Sequence, residues 1–187
     1  MKSRDKMKIL DSHWLEGAKI IESPFFDQRV NDADVSLLVV HNISLPPGQF
    51  GGPYIEQLFT GKLDPNAHPF FEQIHKLRVS AHCLIRRDGE VVQFVSFNTR
   101  AWHAGVSQFA GRKNCNDYSI GIEMEGTDFT GYTEEQYCSL SQLTMCVMKK
   151  YPQITKQRVT GHQYIAPGRK TDPGLTFDWS KLFALIS

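Results

Sequence analysis

The sequence predicts an α/β fold, a single domain spanning residues 1–187 with a mixed central β-sheet flanked by helices. Three observations predict it. Strand-like runs and helix-like periodicities alternate along the chain. One apolar run reads as a strand buried on both faces. No repeat, low-complexity tract or Pro/Ser-rich linker divides the 187 residues, and a chain of that length buries about 70% of its unfolded surface, enough for one sizeable core.

The first strand is the continuous run Val35 to His41. A second candidate, Ala81 to Arg86, meets Glu90 to Ser96 across Arg87-Asp88-Gly89, where Asp-Gly signals a hairpin. Ser119 to Glu125 alternates Ile120, Ile122 and Met124 with Gly121, Glu123 and Glu125, predicting one buried face and one face carrying carboxylates. The longest helix begins at Thr133 with Gln136 three residues on, a capping-box pattern. It carries Tyr137, Leu140, Leu143, Val147 and Tyr151 at 3–4 spacing until Pro152 stops it. A shorter helix starts from Asp178 as N-cap and carries Trp179, Leu182, Phe183 and Leu185. Between His41 and His82 lies a Gly/Pro-punctuated excursion, with short helical pieces expected at Pro53 to Thr60 and Pro69 to Leu77. Few apolar residues separate Ile43 from Gly52, so this stretch is expected to be weakly anchored and to act as a lid.

Composition excludes several function classes. Lys plus Arg number 21 against 20 Asp plus Glu, a formal charge of +1 that gives no net field for holding a polyanion. Apolar residues at 41% and charged residues at 22% are those of a globular chain rather than a disordered or fibrous one. The longest apolar runs fall far short of the roughly 20 residues that span a bilayer. The stretch from Met1 to Leu10 is basic but meets Asp11, Ser12, His13 and Glu16 before a signal-peptide core can form. Cys83, Cys115, Cys138 and Cys146 form no CxxC pair, and the last two stand about 12 Å apart on one helix, too far to bridge. A reduced, cytoplasmic protein without nucleic-acid or membrane partners is expected.

Seven histidines invite a search for a metal site, yet none falls into HExxH or any short ligand pair. A site must be assembled by the fold from distant positions. His41, at the carboxyl end of the most buried strand, stands where open α/β sheets bind ligands; it fits equally a core histidine bonded to backbone. His162 follows Val159-Thr160-Gly161 and precedes the irregular stretch Gln163 to Thr176, which holds Lys170 and Asp172. A His from one strand end, a second His ending another strand and a carboxylate from the following loop would suit zinc with a fourth position open. Asp172 in Asp-Pro-Gly also reads as a turn residue, and Lys170 as a solvated charge.

Five blocks carry a resemblance: Leu37–Gly48 (LLVVHNISLPPG), Val79–Gly89 (VSAHCLIRRDG), Ala101–Gly105 (AWHAG), Cys115–Gly126 (CNDYSIGIEMEG), and Thr160–His162 (TGH) with Arg169–Gly174 (RKTDPG). In order and nearly without gaps from about Trp14 to Trp179, they resemble the type-2 N-acetylmuramoyl-L-alanine amidases, relatives of the peptidoglycan-recognition proteins. The match is nearest the cytoplasmic members that act on 1,6-anhydro-muropeptides in cell-wall recycling.

The resemblance implies a zinc ion held by His41, His162 and Asp172, with Glu123 taking the proton of the attacking water and Lys170 stabilising the oxyanion. Zinc in such a set lowers the pKa of water to about 7. It implies hydrolysis of the amide between the lactyl group of anhydro-muramic acid and L-Ala by a monomeric enzyme whose partner is a small muropeptide. The chain departs from the wider family twice. Asp172 stands where Cys is frequent, and Ala81 where many relatives carry Tyr just ahead of the hairpin strand, which leaves more proton work to Glu123. Glu125 is expected to be a structural or supporting carboxylate, and His82 and His103 to be pocket-wall or hydrogen-bonding groups rather than ligands.

For substrate binding, Trp102 beside His103 offers a platform for a sugar face, and Arg78 and Arg112 are candidates for stem-peptide carboxylates. Asn42 fits a sugar contact and equally a backbone cap. Two other readings compete: a lytic amidase acting on polymeric peptidoglycan, and a peptidoglycan-binding module without catalysis. The second has no need of five catalytic and ligand residues together.

Overall fold

The computed structural model describes residues 7–187. Met1 to Lys6, on which part of the export argument falls, lie outside the described residues. In chain order the strands are β1 (Lys19–Ile20), β2 (Phe26–Gln28), β3 (Leu37–Ile43), β4 (Cys83–Ile85), β5 (Val91–Gln93), β6 (Thr99–Ala101), β7 (Gln108–Phe109), β8 (Arg112–Lys113), β9 (Ser119–Glu125) and β10 (Val159–Gly161). The α-helices are α1 (Tyr54–Phe59), α2 (Pro69–Ile74), α3 (Glu134–Lys150), α4 (His162–Ile165) and α5 (Trp179–Leu185).

Six strands form the main sheet in the order β1-β5-β4-β9-β3-β10. Only the β4–β5 hairpin is antiparallel, so the sheet is mixed, as the sequence predicts. The hairpin turns at Gly89, where the φ of +86° favours glycine.

Each face of the sheet has its own cover. Leu38, Val40, Ile120, Ile122, Met124 and Ile85 point to the face packed by Tyr137, Leu140, Leu143 and Val147 of α3 and Leu182 of α5. Full burial of each such side chain contributes about 1.5–3 kcal/mol, which anchors the strands independently of the opposite face. Helix α3 starts where expected: the Thr133 hydroxyl accepts from the Gln136 amide, and the Gln136 side chain accepts from the Thr133 amide. Asp178 caps α5 by accepting from the Lys181 amide.

The opposite face carries Val39, His41 and Ile43 beside Gly121, Glu123 and Glu125. It is covered by α1, α2 and the loops around them, whose Leu58, Phe59 and Phe71 join Leu84, Val92 and Phe94 in a second core. This corrects three expectations. All seven residues of β9 are buried, so its carboxylates face the interior rather than solvent. And the strand read as Val35 to His41 runs on to Ile43, because β9 pairs with it as far as Glu125; His41 therefore sits two residues inside the strand. His162 opens α4 rather than ending a strand.

The segment read as a lid is clamped. Leu45 is buried, the Gly51 amide donates to Glu125 Oε1 at 2.7 Å, and Arg86 donates to both the Gly52 carbonyl and Glu125. Arg86 also pairs with Glu56 of α1. A buried carboxylate could not be inferred to grip a glycine 74 residues away in sequence. The Gly51 amide should accordingly exchange slowly with solvent in the free protein. Glu125→Ala should speed that exchange by about 10–100-fold, the worth of a hydrogen bond to a charged acceptor. Fast exchange in the unaltered protein, measured by hydrogen–deuterium exchange, would restore the lid.

Candidate metal centre and active site

The β3–β9 register sets His41 directly beside Glu123 on one sheet face, and the parallel β10–β3 pairing carries His162 to the same edge of that face. The loop after α4 returns to supply Asp172, whose carbonyl accepts from the Gln163 amide at 2.9 Å. His41 Nδ1 and His162 Nδ1 are 3.0 Å apart, and each lies within 3.1 Å of Asp172 Oδ2. Three donors so close fit one small cation: ligands about 2.0–2.1 Å from a tetrahedral zinc stand about 3.4 Å from one another. Among the described residues this is the one group of three or more His, Cys, Asp or Glu side chains arranged to hold a metal.

The outer ring nitrogens are committed. His162 Nε2 donates to the Ala104 carbonyl at 3.0 Å, leaving Nδ1 bare. His41 Nε2 meets His103 Nδ1 at 2.9 Å. Burial lowers the His41 pKa to about 4, keeping the ring neutral and able to ligate. Burial alone would raise the Asp172 carboxyl, but the adjoining His162 and His41 rings outweigh it and hold the group well below the usual carboxylate range.

Glu123 and Lys170 flank this cluster. Glu123 Oε2 is buried with no hydrogen-bond partner, and burial, aided by Asp172, raises the carboxyl well above its ordinary value against the pull of Lys170. A buried, unpaired carboxyl of this kind holds a proton more readily than an exposed one, as a general base must. Lys170 lies on the open side, exposed to solvent. All five residues line one cleft of about 400 Å³. Its far wall is apolar, built from Leu45, Pro47, Leu58, Phe59, Phe70 and Ile74.

The substrate-binding candidates divide. Trp102 and His103 line the cleft; the Trp102 indole donates to Asp27 and stacks on Phe25. Arg78 lies over the Trp102 and Phe25 rings, outside the cleft lining. Asn42 reaches the cleft, but its amide nitrogen donates to Asp128 and to the Pro173 carbonyl, tying the loop after β9 to the Asp172 loop. Those loops meet closely at Gly174, where a Cβ would stand 2.2 Å from Asp128 Cα. Arg112 is not brought in: it pairs with Asp34 and covers the Tyr118 ring in a different hollow. Glu125 has the supporting place expected of it. His82 is buried behind the cleft, its Nδ1 accepting from the Gly121 amide and its Nε2 donating to the Thr99 carbonyl.

Arg29 carries no signal in the sequence, where nothing distinguishes it from a surface cation. Its buried guanidinium donates to the carbonyls of Phe97, Asn116, Asp117 and Ser119, and burial lowers its pKa to about 10. Its charge adds to burial in lowering His82 to about 3, and burial together with His41 holds half-buried His103 well below its ordinary value.

These shifts set the acid response. Between the unfolded histidine value of about 6.5 and about 4, the unfolded chain binds protons that His41, His82 and His103 refuse, so stability is lost as pH falls. Glu123 opposes this above its ordinary value, because the native state keeps a proton the unfolded chain has released. His13, which burial and Lys150 also lower, joins them, and four groups against one leave a net loss of about 4 kcal/mol per pH unit at the steepest. Urea midpoints of chelator-treated protein should fall steadily from pH 7 to 4.5; a flat or rising profile would contradict the neutral-histidine assignment.

Comparison with known proteins agrees with this geometry. The N-acetylmuramoyl-L-alanine amidase family model matches residues 31–175. The chain is 60% identical over 179 residues to the 1,6-anhydro-N-acetylmuramyl-L-alanine amidase AmpD of Escherichia coli (strain K12), covering 96% of this chain and 97% of that one. A crystal structure of a Se-Met AmpD derivative superposes with a TM-score of 0.92 at 60% identity, covering 95% and 99% of the two chains. AmpDh3 from Pseudomonas aeruginosa, solved in complex with anhydromuramic pentapeptide, superposes with a TM-score of 0.60 at 30% identity, covering 87% of this chain and 61% of that one. The matched span contains His41, Glu123, His162, Lys170 and Asp172, and the chain belongs to the N-acetylmuramoyl-L-alanine amidase family.

Proposed function

We propose that the protein hydrolyses the amide bond between the lactyl group of 1,6-anhydro-N-acetylmuramic acid and the L-Ala of muropeptides, with zinc held by His41, His162 and Asp172. The observation that carries this reading is the convergence of three donor atoms within 3.1 Å beside a buried, unpartnered Glu123 oxygen. The names of the relatives supply the substrate.

Zinc in this set supplies Lewis acidity, lowering the pKa of water toward neutrality and polarising the amide carbonyl. Glu123 Oε2 receives the proton of the attacking water and returns it to the departing L-Ala nitrogen. The raised affinity of this carboxyl for a proton suits both transfers. Lys170 places its ammonium where negative charge grows on the former carbonyl oxygen. Leu45, Pro47 and the apolar side chains of α1 and α2 line the remainder of the cleft, and a substrate seated against them would displace water and strengthen these charge interactions. One chain supplies all five residues, so the site needs no second subunit and a monomer suffices. Four free thiols suit a reducing compartment, the cytoplasm, and no helix among the described residues is long and apolar enough to cross a membrane.

The test is product analysis by mass spectrometry on anhydro-muramyl tripeptide and on intact peptidoglycan in parallel. Release of free tripeptide from the small substrate, with little from the polymer, is expected. Preference for the polymer would favour a lytic amidase, and binding without cleavage a recognition module.

A further inference from the structure

The role of His103 rests on His41, His162 and Asp172 holding a metal ion as in the proposed function. A cation held by His41 Nδ1 takes that nitrogen's lone pair, so the neutral ring must carry its proton on Nε2. That Nε2 lies 2.9 Å from His103 Nδ1, and His103 Nε2 lies 3.1 Å from Ser119 Oγ. We infer that His103 is a positioning residue for the metal: its Nδ1 accepts the Nε2–H of His41, its own Nε2–H donates to Ser119 Oγ, and the ordered pair selects the His41 tautomer that offers Nδ1 to the ion. When Asp172 instead receives a proton from His41 Nδ1, the same contacts can run the other way, with Ser119 donating to His103 and His103 to His41. The metal thus reverses the direction of the relay.

The surroundings are built for this contact. His103 lies against β9 at Gly121, where a Cβ would stand 2.4 Å from His103 Cγ, so a strand position that glycine weakens is what lets the ring reach His41. Asn116 Oδ1 accepts from the backbone amides of both His103 and Ala104. The Ala104 carbonyl receives the Nε2–H of the other imidazole, His162. One dipeptide, held by Asn116, therefore sets the outer nitrogens of both ligand histidines. A group that only touched substrate from the cleft wall would need neither arrangement.

The test is zinc affinity, measured by competition with a chromophoric chelator, for the unaltered protein, His41→Ala, His103→Leu, His103→Asn and Ser119→Ala. Losing a hydrogen-bond partner of a ligand histidine typically weakens metal binding about 10–100-fold, and His103→Leu should fall in that range. His103→Asn, whose amide oxygen can accept in place of Nδ1, should recover most of the loss, and Ser119→Ala should fall between. Nitrogen-15 spectra of the zinc-loaded, unaltered protein should find the proton of His41 and that of His103 each on Nε2, an observation that stands even if a variant fails to fold. Unaltered affinity in His103→Leu, or a proton on His103 Nδ1, overturns the inference and leaves the metal site intact. Zinc binding by His41→Ala equal to that of the unaltered protein would overturn the metal set itself, and this inference with it.

Discussion

Asp172→Ala is expected to leave a folded protein that no longer retains zinc and hydrolyses anhydro-muramyl tripeptide at background rate. His41→Ala and His162→Ala should match it. The three donors are mutually within 3.1 Å, so each removal leaves two ligands, and ligand identity and count decide the affinity. The loss should exceed the roughly 10–100-fold typical of removing a mere partner of a ligand. The fold should persist, because the core between the sheet and α3 involves none of the three. Zinc content after dialysis, read beside circular dichroism, checks both halves; a variant with normal zinc and rate would not have lost a ligand.

The second large effect falls on turnover with the metal in place. Glu123→Ala should retain zinc while kcat drops about 10²–10⁴-fold, the range for a lost general base. Lys170→Ala should lose about 10²–10³-fold, the range for a lost oxyanion partner. Both should move kcat more than KM, because each group meets charge that grows in the transition state. Undiminished turnover in Glu123→Ala would transfer the proton role elsewhere. Glu125 is a poor heir: its carboxylate is already bound by Arg86 and the amides of Gly51 and Arg87.

The sheet, its hairpin and the two capped helices were legible because their signals are local. Asp88-Gly89, Thr133 with Gln136, and Asp178 each act within a few residues, and the apolar runs of β3 and β9 need no partner to be seen. The covered face of β9 was not legible. Alternation marks Gly121, Glu123 and Glu125 as unlike their neighbours, but only the packing of α1, α2 and their loops makes that face interior. The His, Glu, Lys and Asp residues of the centre stood out through the resemblance of whole blocks, whereas spacing alone left His41 and Asp172 with ordinary structural readings. The contacts of Arg29 and of Gly51 with Glu125, and the exclusion of Arg112 from the cleft, depend on loops whose paths no local pattern encodes.

The most direct measurement of the central claim combines metal analysis with a reversible assay on anhydro-muramyl tripeptide. The purified protein should carry one zinc per chain. Chelation should abolish hydrolysis with most of the far-ultraviolet circular dichroism retained, and added zinc should restore the rate. Hydrolysis continuing at full rate after the zinc has been removed would contradict the assignment of His41, His162 and Asp172 as the heart of the active site.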